Sequence, residues 1–417
     1  MMTNLTQKSS KQFLGVGVRV VTLALSLIVF GTSAALAQTR AYVSNGSATT
    51  VSVIDTATNS VVATIPVGSS PQRLAVTPNG AFAYVPNSGN ANVSVINTAT
   101  NTVVATVPVG FFPQGVAITP NGAFAYVANV AVSTISVINT ATNTVTVTIP
   151  GLQNPAFVAI TPSGNFAYVA GFSSSVRVID TASNTIVATV PVGGSSIGLA
   201  ITPNGAFVYV PNQNSNNVSV ISTATNTVVG TITVGNGPSG VAITPNGAFA
   251  YVSNSVDNSV SVIATATNTV VATVPVGSNP RSLAIDPTGS FAYVPNQFDN
   301  TVSVISTATN SVVATVGVGA GPIAIAFAVS DPLQSMLGQI QALIDAGTLT
   351  ESQGDVLLNK IAHAIGSLDN GQTNAACGQL DSFINQVNAF INNGSLTQAQ
   401  GQTLIDAANA IRASNGC

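Results

Sequence analysis

From Gln38 to Ser330 the chain alternates short apolar runs with polar breaks, and the alternation repeats with a long period. Each unit reads Pro-x-x-(Leu/Val)-Ala-(Ile/Val)-Thr-Pro-Asn-Gly, then Ala-Phe-Ala-Tyr-Val and a polar loop. A run such as TVSVI follows, then a turn such as STATN, then TVVATVPVG. The four runs are rich in β-branched and aromatic residues and bounded by Pro, Gly and Asn, which predicts four strands per unit. TPNG puts Pro and Asn at the centre of a tight turn closed by Gly, joining the first two strands as a hairpin. In the second strand Phe82 and Tyr84 share one face while Ala81, Ala83 and Val85 share the other.

All seven tyrosines occupy the same place in the unit: Tyr42, Tyr84, Tyr126, Tyr168, Tyr209, Tyr251 and Tyr293. Four short strands every 40-odd residues, repeated in this way, predict a β-propeller. A large face on one blade then nests against a small face on the next, with each Tyr in the core and its hydroxyl at a polar edge. The repeat region begins with TRAYVSN, a second strand, and ends with GPIAIAFAV (321–329), a first strand. Pairing Ile323–Phe327 with Arg40–Val43 closes the ring and removes both edges. The expected fold is an all-β, seven-bladed propeller over 38–330 with one-plus-three closure.

Beyond Pro332 the pattern becomes helical. Leu333, Leu337, Ile340 and Ile344 share one face, and Thr350 and Thr397 suit N-caps. AGTLTESQGDVLL and NGSLTQAQGQTLI are copies offset along the chain, so 331–417 is expected to form two helical hairpins, a small all-α domain. Its helices are expected near 332–346, 350–367, 372–392 and 397–413.

Charge changes this picture in one respect. Charged residues make up only 5% of the chain, and 38–330 holds four Arg, five Asp and no Lys, Glu or His. No phosphate-tracking surface can be built from that, so nucleic acid is not an expected partner. The apolar run VVTLALSLIVF lies behind Lys8, Lys11 and Arg19 and ends near Ala35-Leu36-Ala37, which reads as a signal peptide over 1–37. The expectation is an exported protein (periplasmic, cell-surface or secreted) with no membrane span in the mature chain. Cys377 and Cys417 are the only cysteines and, in an exported chain, are expected to form one disulfide. A metal pair is the weaker alternative, because His363 is the only nearby soft ligand.

AYVSN, AYVPN, AYVAN and VYVPN, followed by VSVI and VVATVPVG, resemble the YVTN-type β-propeller repeats, a family that includes archaeal surface-layer proteins and many exported bacterial proteins. Blade four departs from the pattern with AYVAG and a loop one residue shorter. CGQLDSFINQVNAFINNGSLT resembles the FIMAH type of C-terminal helical module found on exported bacterial proteins.

Known seven-bladed propellers often bind ligands at the central channel or on the face bearing two loop sets, which here are the loops before the first strand and after the Tyr motif. There Asp257 and Asp299 occupy equivalent positions in adjacent blades, and with Asn258 and Asn300 they could hold a cation through oxygen. Solvated turn residues copied with the repeat are the plainer reading. Arg73 and Arg281 lie on first strands near the channel mouth, where they could grip an anion or simply line the channel; their offsets from the preceding Pro differ by one, so they need not face the same way. Phe111 and Phe112 stand where other copies carry Ser, Gly, Asn or Gln, and with Phe157, Phe172 and Phe298 could form an aromatic rim. No catalytic constellation, metal site or cofactor loop is expected. The sequence favours a non-enzymatic scaffold that contacts a protein or envelope polymer at the cell surface. A carbohydrate- or peptide-binding propeller and a metal-assisted hydrolase or lactonase are the alternatives.

Overall fold

The computed structural model describes residues 39–329, 332–369 and 371–417. The leader read over 1–37 lies outside them. Seven four-stranded antiparallel sheets form seven blades, numbered here by their Tyr so that blade one carries Tyr42 and blade seven Tyr293. Blade one is built from both ends of the repeat region: Pro322–Val329 pairs with Thr39–Asn45, followed by Thr50–Asp55 and Ser60–Pro66. Its register, Ala41 opposite Phe327 and Val43 opposite Ile325, is the one-plus-three closure expected from the sequence.

The repeat motifs act locally as their chemistry requires. In the first hairpin of blade two the Gly80 N–H donates to the Thr77 carbonyl (2.8 Å), and Gly80 takes φ 73°. Asn79 Oδ1 accepts from the Ala81 amide (3.1 Å), so Pro, Asn and Gly each occupy the turn position they favour. The Asn that ends the second strand is wholly buried in six blades. Its amide donates sideways to the third strand, as Asn87 does to Asn92 Oδ1 (2.8 Å) and Ser94 Oγ (2.9 Å). Blade four has Gly171 instead, because a Cβ there would lie 2.1 Å from the Asn154 carbonyl oxygen.

The core lies between blades. Tyr84, Val93, Val95 and Val107 of blade two pack on Ala125, Val127 and Ile138 of blade three, a large face against a small one. Such a tyrosine is essentially inaccessible, and truncating it to Ala should cost about 3–5 kcal/mol. Each hydroxyl reaches the next blade: Tyr84 donates to Asn143 Oδ1 at 2.7 Å and Tyr126 to Asn184 Oδ1 at 2.6 Å. Those asparagines end the turn between third and outer strands with φ 52° and 55°, a left-handed conformation that Asn tolerates.

The C-terminal segment forms helices α1 (Pro332–Asp345), α2 (Glu351–Asp369), α3 (Thr373–Asn392) and α4 (Gln398–Ser414), within two residues of expectation. Thr397 and Gln400 make a reciprocal capping box, and Thr350 and Gln353 make the same pair of bonds before α2. Met336, Ile340, Leu357, Ile361, Phe383, Val387 and Leu404 fill the helical core. Cys377 and Cys417 are disulfide-bonded, tying α3 to the last residue. No described helix is long and apolar enough to cross a membrane.

Candidate functional site

The inner strands surround the propeller axis, each beside the next. Aligning them on their entry residue gives one layer, two residues in from the loops: Arg73, Gly115, Phe157, Gly198, Gly240, Ser282 and Ala324. Five of these are small, and two are held small by crowding. A Cβ on Gly115 would lie 2.7 Å from the Ala156 carbonyl, and one on Gly240 would lie 2.8 Å from Ser282 Cα. The inner strands therefore approach closely, and the large side chains of the layer, Arg73 and Phe157, extend into the room that is left.

Arg73 crosses that space. Starting on blade two, its Nε donates to Ser282 Oγ of blade seven at 2.9 Å, while its guanidinium carbon sits 5.6 Å from the centre of the Phe157 ring on blade four. It is only 6% exposed. Arg281, the neighbour of Ser282, is close enough for its charge to act on Arg73. Burial first and the Arg281 charge second hold the Arg73 pKa down to about 9. Burial likewise lowers Arg281, whose Nε is buried with no hydrogen-bond partner. The inner strands of blades two, five and seven shrink to Ala75–Val76, Ala200–Ile201 and Ala284–Ile285. The differing offsets from Pro do not keep the two arginines apart, since Arg73 reaches Ser282, the chain neighbour of Arg281. Phe157 belongs to this layer and not to the loop rim with which the sequence grouped it.

The loop face lies above. On it, the connection entering each blade is hydrogen-bonded to the loop after that blade's second strand, as Val130 N is to Phe112 O (3.1 Å) and Ser255 N to Gly237 O (2.9 Å). Phe111 and Phe298 are 67% and 73% exposed, and Phe112, Phe172 and Val256 are exposed on the same face. Phe112 has φ 57°. The equivalent residues of the other six connections, Ser70, Asn154, Ser195, Gly237, Asn279 and Gly321, also take positive φ, but all are small or turn-forming types. A bulky aromatic in that region is strained.

Asp257 and Asp299 hold loops. The Asp257 carboxylate accepts from the Asn236 amide (2.7 Å) and from Asn236 Nδ2 (2.9 Å), and those bonds, the backbone one first, draw its pKa down. Asp299 accepts from the Ser278 amide at 2.6 Å. Asn90 receives the Ser69 amide at the same position of blade two, so a neutral oxygen performs the same task. Asn258 and Asn300 face other partners, accepting from the Asn279 and Gly321 amides. Among the described residues no three His, Cys, Asp or Glu side chains gather as metal ligands. His363 is exposed on α2.

Comparison with known proteins follows this geometry. The family model described as a lactonase, 7-bladed β-propeller, matches residues 222–316, which cover the outer strand of blade five and blades six and seven and include Arg281, Asp257 and Asp299 but neither Arg73 nor Phe157. The FIMAH domain model matches residues 333–413. No curated protein matches the chain. Among solved structures the chain is similar to Kuenenia stuttgartiensis hydrazine synthase, with 28% identity and a TM-score of 0.59, covering 64% of this chain and 92% of that one. It is also similar to a functionally unknown protein from Desulfotomaculum acetoxidans DSM 771, at 19% identity and a TM-score of 0.63, covering 70% of this chain and 99% of that one. The chain is thus a seven-bladed β-propeller, part of which (222–316) matches the lactonase family model, followed by helices that match the FIMAH domain.

Proposed function

We propose that this is an exported, non-enzymatic propeller that serves as an interaction module at the cell surface or envelope, with the loop face as its contact surface and the helical segment as a docking or spacing unit. Phe112 carries the reading: it is half-exposed and left-handed at a position where the other six blades use Ser, Asn or Gly. Backbone strain persists at a site when something other than stability maintains the residue. Phe111 beside it and Phe298 on the same face add exposed apolar area, of the kind that marks a partner site. The leader-like segment at 1–37 and the Cys377–Cys417 disulfide support export.

Co-sedimentation of 38–417 with envelopes of its own host tests the proposal. The protein should pellet, and a variant carrying Phe111→Ser with Phe112→Asn should stay in the supernatant. Equal pelleting of both would remove the loop face from the proposal, and no pelleting of either would remove the envelope.

The match of blades six and seven to a lactonase model favours a second reading, a metal-assisted hydrolase. It requires Asp257 and Asp299 to leave their amide partners for a cation, so lactone hydrolysis that depends on added calcium and is lost in Asp257→Asn would support it.

A further inference from the structure

The propeller carries four Arg in all, and one of them, Arg73, reaches Ser282, the chain neighbour of a second, Arg281. Two guanidinium groups offer about ten N–H donors. Among the described residues one of these is engaged, from Arg73 Nε to Ser282 Oγ. Neither Arg73 nor Arg281 forms an ion pair among the described residues. The carboxylates of the propeller are spent on turns and loops. Asp55 and Asp180 accept amides in turns between third and outer strands, Asp286 accepts the Phe291 amide in a hairpin, and Asp257 and Asp299 latch loops.

Burying like charges without a counter-charge is costly, and removing them from water makes each more demanding of a partner. Arginine does not escape by losing its proton, since even the lowered Arg73 stays charged at neutral pH. Phe157 holds one face of the Arg73 guanidinium and Ser282 holds its Nε, so the outer nitrogens keep a fixed direction. Because Ser282 Oγ accepts from Arg73, its own proton is free to donate. Gly115, Gly198, Gly240 and Ala324 contribute no bulk to the same layer.

We propose that Arg73, Arg281 and Ser282 form an anion site in the central channel, which takes a small oxyanion of two negative charges, either a tetrahedral sulfate- or phosphate-like group or a short dicarboxylate. The site is independent of the loop-face reading: it lies within the channel and shares no residue with the exposed phenylalanines.

Isothermal titration of 38–417 with sodium sulfate, inorganic phosphate and malonate, at ionic strength held constant with sodium chloride, tests it. One equivalent of at least one probe should bind saturably. Arg281→Gln is the informative variant, since Arg281 Nε has no partner among the described residues whose loss would disturb the fold, and it should weaken binding at least tenfold. Arg73→Gln should do the same if it folds. Binding of sulfate or phosphate without malonate would assign a tetrahedral group, and the reverse a carboxylate ligand. Failure of all three probes, or an unchanged affinity in Arg281→Gln, would overturn the site.

Discussion

The Tyr293 hydroxyl donates to Asn59 Oδ1 at 3.0 Å, joining the last blade to the first across the point where the ring closes. The other six junctions use the same pair, for example Tyr168 to Asn226 and Tyr209 to Asn268. One residue type thus solves two problems, because the asparagine turns the chain at positive φ and also receives the phenol of the preceding blade. If closure is one junction among seven equals, Tyr293→Phe should cost about 1 kcal/mol, the usual net worth of one hydrogen bond. Tyr126→Phe should cost the same in urea unfolding. A several-fold larger loss for Tyr293→Phe would mean that the closing blade is special. Asn59→Ala should exceed either, by roughly 1–2 kcal/mol, because alanine also resists the left-handed turn.

The same tyrosines set an alkaline limit. Burial raises all seven phenols, with Tyr84, Tyr126 and Tyr293 pushed up to about 12. A phenol whose folded value lies above its unfolded one stabilises the fold fully below about pH 10 and ceases to do so as pH rises through the folded value. Stability should therefore hold to about pH 10 and fall between about 10 and 12. Phenolate absorbance should appear together with loss of the native signal; ordinary titration near pH 10 in a folded protein would contradict the packing.

Phe112 separates stability from function. Asparagine suits its left-handed φ and is what blade seven uses there, as Asn279. Phe112→Asn should raise stability by about 1 kcal/mol, the low end of the strain range, because the exposed ring loses little burial. Denaturant midpoints read this directly. A destabilised Phe112→Asn would show that the ring packs locally and would leave the loop face without its strongest argument.

Asp257 makes the opposite case. Its carboxylate holds the Asn236 amide, and Asn90 shows that an amide oxygen can do that in blade two. Hydrogen exchange at Asn236 should stay slow in Asp257→Asn, quicken in Asp257→Ala, and ignore added calcium. In wild type, protection should be present above the ordinary carboxylate range and be lost as pH falls through the depressed folded value. Calcium-dependent protection would revive the cation reading.

Much of this is legible in one dimension. Tyrosine spacing counts blades, and the orphan strands at each end of the repeat region specify the closing pair, found as Ala41 opposite Phe327. What the sequence hides are relationships read around the ring. Arg73, Phe157 and Ser282 lie in one layer, yet Arg73 and Ser282 are 209 residues apart and meet past the inner strand of blade one. A blade-by-blade alignment shows Phe157 only as another aromatic, which is why it falls in with the loop residues there. The TATN asparagine reads as a turn former, whereas its second role needs the neighbouring blade to be present.

The helical duplication can be tested at one atom. Gly354 and Gly401 occupy matching places in the two copies, and a Cβ at either would strike the matching isoleucine, 2.1 Å from Ile344 Cδ1 or 2.3 Å from Ile391 Cγ1. Helix propensity alone predicts that Gly401→Ala stabilises by about 1 kcal/mol. Overpacking predicts a loss of about 1–3 kcal/mol, and it should win because Ile391 Cγ1 is not a free chain end and Val387 closes the other side at 3.4 Å. Gly378 is the control, being exposed on α3 with nothing within 4 Å of an added methyl, so Gly378→Ala should gain about 0.5–1 kcal/mol. Shortening the obstacle should separate the two effects. In an Ile391→Ala background Gly401→Ala should turn from harmful to neutral or stabilising, a coupling that thermal unfolding of the four variants measures. If Gly401→Ala costs the same in both backgrounds, the glycine is there for some reason other than room for Ile391.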